Sequence, residues 1–216
     1  QSGPAAAGAP VLREGVLALA RWQCSVPAEG LAPLDDAALR AELARFPAGC
    51  VQQAFGINWT EAQQRAWAVV CDRLVASALA QPQVAVHGDW TPRRLPLLPR
   101  EPAQPAAWRG PVTYDLASLL RSADLDLDEA QQLDLGVRWW QQARRDGLPL
   151  GETLAEDFGE LWRALEWTGL LQQLAELGRL GQAGAPDAGC TARLLHDATR
   201  VALRYAPLKP LLALLE

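Results

Sequence analysis

The sequence is poor in several residue types that build common functional sites. Its only lysine is Lys209, its only histidines are His87 and His196, and its four cysteines form no CxxC pair. Structural zinc sites need closely spaced cysteine and histidine ligands, and disulfide frameworks need dense, paired cysteines. The pattern therefore argues against both kinds of site, and it predicts four free thiols in the reducing environment of the cytoplasm.

Clustered positive charge and long apolar runs are also missing. The formal net charge is -5 at pH 7, and no dense basic run occurs. Because non-specific nucleic-acid binding needs a basic surface, we expect no nucleic-acid partner. No run of about 18 uncharged apolar residues occurs, so we expect no membrane span.

Hydrophobic residues, in contrast, make up 50% of the 216-residue chain. This content suffices for a large buried core in one sizeable domain or two small ones. Residues 1–10, QSGPAAAGAP, consist mostly of Gly, Ala and Pro, and we expect them to form a flexible lead. Residues 11–216 are expected to form the folded part.

Apolar residues recur at a spacing of three or four through most of the chain, which predicts a mainly α fold. The clearest helix runs from Thr60 to about Ala80, with Thr60 as N-cap and Gln63 at the capping-box spacing. Pro82 ends it. Further helices are predicted at 11–24, 35–46, 112–123, 128–145, 152–180 and 187–205.

A short strand is predicted at 84–86, followed by a proline-rich stretch at 94–111. Proline removes a backbone donor, so we do not expect a paired central strand in that stretch.

The acidic run at 124–129, DLDLDE, loosely resembles the start of a calcium-binding loop. It lacks the glycine and the distal glutamate that such a loop requires. We therefore interpret the run as the solvated start of a helix, with Asp128 near its N-cap.

The segment 84–99, VAVHGDWTPRRLPLLP, carries the strongest functional signal. A short apolar run leads into His87, Gly88 and Asp89, as at the start of a phosphoryl-transfer catalytic loop. Such a loop uses an aspartate to orient the acceptor hydroxyl and take its proton, and an asparagine five residues later to hold magnesium. In this chain Arg94 stands at the later position.

His87-Gly88-Asp89 resembles the catalytic loop of the aminoglycoside phosphotransferase-like kinases. The segment 110–121, GPVTYDLASLLR, looks like the stretch that follows the metal-binding aspartate in that family. Three further segments, RWQ at 21–23, DRLV at 72–75 and EWTGLLQ at 166–172, resemble one branch of it. That branch comprises bacterial kinases that phosphorylate the anomeric hydroxyl of N-acetylmuramate and N-acetylglucosamine in peptidoglycan recycling.

The resemblance implies that residues 11–216 form the C-terminal lobe of a protein-kinase-like fold, mainly α with a short β-poor catalytic insert. It implies an amino-sugar ligand and places Asp89 at the catalytic-base position. His87 and Asp115 would brace the loop, Asp115 by accepting backbone hydrogen bonds. The alternative for Asp115 is a simple helix cap.

Three departures from the family pattern all concern the ATP side. Arg94 replaces the metal-binding asparagine, and a guanidinium has no lone pair with which to bind magnesium. Ala103 stands near the position of the metal-binding aspartate. No glycine-rich phosphate loop precedes residue 84 and no lysine precedes Lys209, so we expect the N-terminal nucleotide lobe to be absent. ATP and magnesium, which intact relatives would use, are therefore not expected as cofactors of this chain.

The sequence leaves three functional hypotheses open. The first is a truncated or degenerate sugar-kinase lobe, pseudokinase-like and inactive alone. The second is an active ATP-dependent amino-sugar kinase that uses a partner lobe. The third is a non-catalytic helical binding module, suggested by nine tryptophans and the apolar tail at 208–215. Tryptophans at helical spacing and such a tail are, however, also typical of a packed core.

Overall fold

The computed structural model describes residues 8–95, 107–184 and 188–215. Helices dominate these residues, so the prediction of a mainly α protein is confirmed. Most of the predicted lead at 1–10, Ala103 and most of the proline-rich stretch lie outside the described residues. Among the described helices, none is long and apolar enough to cross a lipid bilayer.

The described elements can be given in chain order. They are α1 (Ala9–Ser25), α2 (Asp36–Arg45), a π-helix (Phe46–Ala54), α3 (Glu61–Leu79), β1 (Gln83–Val86), β2 (Trp108–Pro111), α4 (Tyr114–Leu120), α5 (Glu129–Asp146), α6 (Gly151–Glu156), α7 (Phe158–Gln182), α8 (Ala188–Arg204), a 3₁₀-helix (Ala206–Leu211) and α9 (Leu212–Leu215).

The chain divides into two compact units, each assembled from two separate stretches of sequence. Unit 1 comprises Gln1–Leu34 and Leu79–Leu165, and unit 2 comprises Asp35–Ala78 and Glu166–Glu216. A division of this kind cannot be read from local periodicity, because it depends on contacts between residues far apart in the chain.

Unit 1 is built on the packing of α1 against α5. Its core includes Val16 and Leu19 from α1, Leu116 from α4 and Trp139 from α5. Gln23 is buried among them, and its side-chain oxygen accepts a hydrogen bond of 3.2 Å from the Trp139 indole N–H. This bond satisfies two polar groups that would otherwise be costly to bury.

The two strands of unit 1 form an antiparallel pair in which Val86 lies opposite Trp108. The strand predicted at 84–86 is therefore confirmed. The sequence does not predict β2, which ends at Pro111 inside the proline-rich stretch. The sheet has only two strands among the described residues, so β2 is an edge strand, where proline is tolerated.

The predicted helix at 152–180 is wrong in one respect, because two helices, α6 and α7, occupy this range. The break is Asp157, whose backbone is extended. Its side-chain oxygen accepts a hydrogen bond of 2.7 Å from the backbone N–H of Gly159. An aspartate can satisfy a free backbone donor at a helix start, and apolar periodicity does not reveal this.

Asp128 caps α5 as the sequence analysis predicts. Its side chain accepts a hydrogen bond of 2.8 Å from the backbone N–H of Gln131, and the Gln131 side chain accepts one of 3.0 Å from the backbone N–H of Asp128. We expect Asp128→Ala to lower the free energy of unfolding by about 1 kcal/mol in urea denaturation. Asp126→Ala is the matched control from the same acidic run, and an equal loss in both variants would contradict the capping role.

Unit 2 contains α2, the π-helix, most of α3, the later part of α7, α8 and the C-terminal elements. The tail expected to pack does so, since Leu208, Leu211 and Leu214 are buried. All four cysteines are free thiols, as predicted.

Helices of unit 2 approach one another so closely that their backbones touch at glycines. A Cβ atom added to Gly49 of the π-helix would lie 1.9 Å from the carbonyl oxygen of Gly178 in α7. A Cβ added to Gly178 would lie 2.2 Å from the carbonyl of Arg45, and one added to Gly181 would lie 2.1 Å from the carbonyl oxygen of Gly49. No other residue type fits at these three positions without moving the backbone.

Candidate functional site

The candidate site lies in unit 1, on the loop that follows β1. Gly88 has a φ of +79°, a conformation that glycine adopts readily and other residues rarely do. A Cβ atom at this position would lie 2.4 Å from Cζ3 of Trp108. Both the backbone conformation and the neighbouring indole therefore require glycine between His87 and Asp89.

Asp115 joins the first turn of α4 to this loop. Its carboxylate is completely buried and accepts hydrogen bonds from the backbone N–H of His87, at 2.8 Å, and of Gly88, at 2.9 Å. The N-cap of α4 is Thr113, so the Asp115 side chain serves the loop. The family resemblance implies such a bracing position for Asp115, and the catalytic importance of this residue stays a prediction.

Burial has a clear electrostatic effect on Asp115. Loss of hydration raises the pKa of its carboxyl from the ordinary 3.8 to about 6. The hydrogen bonds from the His87 and Gly88 backbones and the nearby His87 side chain act in the opposite direction. Desolvation outweighs these stabilising contacts because the carboxylate is far from bulk water.

His87 fixes the loop from within. Its side chain is 8% exposed, and its Nδ1 accepts a hydrogen bond of 3.1 Å from the backbone N–H of Asp89. Its ring lies edge-on to Trp22 and Trp90, with centroid distances of 5.5 and 5.4 Å. The indole N–H of Trp90 in turn donates to the carbonyl oxygen of Gly15, at 3.3 Å, and so links the loop to α1.

Asp89 is the exposed acid of the loop, and Arg94 pairs with it. Nε of Arg94 lies 3.2 Å from Oδ2 of Asp89, and 59% of the Asp89 side chain is exposed. The residue expected at a metal-ligand position thus neutralises the residue expected at the base position. A carboxylate has about four acceptor positions, so the ion pair leaves Asp89 able to accept a hydrogen bond from a ligand.

Two contacts of the loop are not predicted by the sequence. Nη2 of Arg93 pairs with Oδ1 of Asp124 at 2.6 Å, which ties the loop to the segment before α5. Trp108 lies against Gly88. Neither contact has a local sequence signal, because both join residues about twenty or more positions apart. Ala103, which stands near the expected position of the metal-binding aspartate, lies outside the described residues.

No protein-family model matches the chain. The chain is 36% identical over 197 residues to an N-acetylmuramate/N-acetylglucosamine kinase of Neisseria meningitidis serogroup B. That alignment covers 87% of this chain and 58% of the relative.

Kinases of the same name from two Pseudomonas species are similarly related. The Pseudomonas putida protein is 36% identical over 148 residues, and the Pseudomonas aeruginosa protein is 35% identical over 147 residues. Each alignment covers 67% of this chain and 42% of the relative. The chain therefore spans about half the length of the curated relatives it matches.

Proposed function

We propose, from the similarity of this chain to N-acetylmuramate/N-acetylglucosamine kinases over about half of their length, that it binds an amino sugar at the Asp89 loop without phosphorylating it unaided. It would be a degenerate, pseudokinase-like member of the family. The observation that carries the proposal is the ion pair of 3.2 Å between Arg94 and Asp89. The proposed setting is the recycling of cell-wall amino sugars in the cytoplasm.

The acceptor side of the site supports sugar binding. The exposed Asp89 carboxylate can accept a hydrogen bond from a sugar hydroxyl, and hydrogen bonds to charged groups are among the stronger ones in proteins. The buried Asp115 and His87 hold the backbone on either side of Gly88 in place. Because the loop is fixed before the ligand arrives, little ordering entropy opposes binding.

The residues at the metal side do not fit magnesium. A magnesium ion needs oxygen ligands, whereas the Arg94 guanidinium is permanently positive and offers only N–H donors. Its position beside Asp89 would repel a divalent cation from the one carboxylate that this part of the loop presents. We therefore assign no catalytic step to magnesium or ATP in this chain.

Calorimetry and an ADP-release assay test the proposal. We expect N-acetylmuramate or N-acetylglucosamine to bind, and we expect no ADP release from magnesium-ATP in the presence of either sugar. Asp89→Asn should weaken sugar binding by about tenfold or more, because the charged acceptor of the hydrogen bond is replaced by a weaker, neutral amide oxygen. Asp126→Asn, which changes an exposed aspartate away from the loop, should leave the affinity unchanged.

An active amino-sugar kinase is the second candidate, and the ordered loop with its exposed Asp89 is the observation that favours it. Sugar-stimulated, magnesium-dependent ADP release that disappears in Asp89→Asn would establish this candidate and overturn the first. If neither sugar binds, amino-sugar recognition itself is refuted.

A further inference from the structure

We infer that Trp108 is the surface against which the ring of the bound sugar lies, an inference that rests on the proposed function. Nothing in the family resemblance assigns a role to this residue. The inference follows from the exposure of Trp108, its fixed position beside the loop and the chemistry of its indole ring.

Trp108 differs in exposure from the other tryptophans. The chain has nine, and Trp90, Trp139, Trp162 and Trp167 are buried, while four others are half-buried. Trp108 is 38% exposed. A single exposed hydrophobic side chain is common on protein surfaces, so the exposure of Trp108 gains meaning only from its position against Gly88, next to Asp89.

The position of Trp108 is fixed by two contacts. Its backbone belongs to β2, where it lies opposite Val86, the last residue of β1. Its ring lies against the α-carbon of Gly88, so closely that a Cβ atom there would be 2.4 Å from Cζ3. The indole is therefore a rigid wall beside the residue that directly precedes Asp89.

The indole of Trp108 and the carboxylate of Asp89 together match the chemistry of a pyranose sugar. One face of a pyranose ring presents C–H groups, which pack on the electron-rich face of an indole, while its edge carries hydroxyl groups. A ring lying on Trp108 would bring a hydroxyl to the acceptor side of Asp89. Trp108 would thus position the sugar, and Asp89 would orient its hydroxyl.

Substitution of Trp108 gives the first test, again by calorimetry with N-acetylmuramate and N-acetylglucosamine. Trp108→Ala should weaken the binding of the sugar by about tenfold, whereas Trp108→Phe, which keeps a smaller aromatic face, should weaken it by about threefold or less. Phe55→Ala is the matched control, because Phe55 is an aromatic residue of unit 2 with 56% exposure. It should leave the affinity unchanged.

Saturation-transfer NMR gives a second reading that does not depend on the alanine variant being folded. When aromatic protons of the unmodified chain are irradiated, their saturation should transfer to the C–H protons on one face of the bound sugar. This pattern should be lost in Trp108→Leu while the far-UV circular dichroism spectrum and the midpoint of thermal unfolding stay close to those of the wild type.

The possible results separate this inference from the proposed function. Sugar binding that depends on Asp89 but is unchanged in Trp108→Ala and Trp108→Leu would overturn the role of Trp108 and leave the proposed function intact. Absence of sugar binding in the unmodified chain would overturn both. A loss of affinity in the Trp108 variants with retained one-face transfer in the wild type would support the inference.

Discussion

Replacing Arg204 with methionine is expected to lower the free energy of unfolding at pH 7 by about 3–5 kcal/mol. Arg204 ends α8, and its Nη1 lies 3.0 and 3.1 Å from the two carboxylate oxygens of Glu166. The Glu166 side chain is 0% exposed. Methionine would fill similar space and the Tyr205 hydroxyl would still donate to the buried Glu166 carboxylate, but the charged hydrogen bonds from the Arg204 guanidinium would be lost.

Two further variants make this prediction specific. Arg193→Met, the same substitution at an exposed position of α8, should cost less than about 0.5 kcal/mol. Adding Glu166→Gln to Arg204→Met should recover part of the lost stability, because the buried charge is then removed. Urea denaturation of all variants provides the comparison. Equal losses in the Arg193 and Arg204 variants, or no recovery in the double variant, would contradict the role of the ion pair.

The second large effect is a dependence of stability on pH that originates at Asp115. Its pKa is about 6 in the folded chain, against an ordinary value of 3.8. Between these values the folded state holds a proton that the unfolded state has released, so stability falls as the pH rises. The stabilisation that comes from the proton on Asp115 is complete below about pH 4 and is lost above about pH 6. The free energy of unfolding changes by about 3 kcal/mol in total over this range.

Comparison with Asp115→Asn isolates this contribution. The stability of the variant minus that of the wild type should increase by about 3 kcal/mol between pH 4 and pH 6 and remain constant at higher pH. In NMR titrations of the wild type, the amide protons of His87 and Gly88 should shift with a midpoint near pH 6, because both bond to the Asp115 carboxylate. A midpoint near 4, or an unchanged stability difference, would refute the effect of burial on this group.

The sequence predicts the helices well where a local polar signal marks their ends. Thr60 and Gln63 form the expected reciprocal bonds at the start of α3, and Asp128 caps α5. The break at Asp157 is not predicted because apolar periodicity continues through it, whereas the π-helix at 46–54 is not predicted because it contains Pro47 and Gly49, which are unfavourable in helices. Capping chemistry is local and readable, whereas a change of helix type reflects packing against distant residues.

In the candidate site, too, some features can be predicted from the sequence and others appear only in the folded chain. The chain order His87-Gly88-Asp89 and the spacing to Arg94 are visible in the sequence, and they direct attention to the correct loop. The ion pair between Arg94 and Asp89 is not visible, since spacing alone cannot tell whether an arginine points to solvent or to its neighbour. The exposure of Trp108 beside Gly88 is likewise a property of the folded chain only.

The backbone contacts at Gly49, Gly178 and Gly181 limit which mutations these positions can tolerate. Every missense change in a glycine codon introduces an amino acid with a Cβ atom, including the mildest, alanine. At these three positions that one carbon would lie 1.9–2.2 Å from a backbone atom of another helix. The genetic code therefore provides no conservative step away from them, and only synonymous substitutions leave this helix contact as it is.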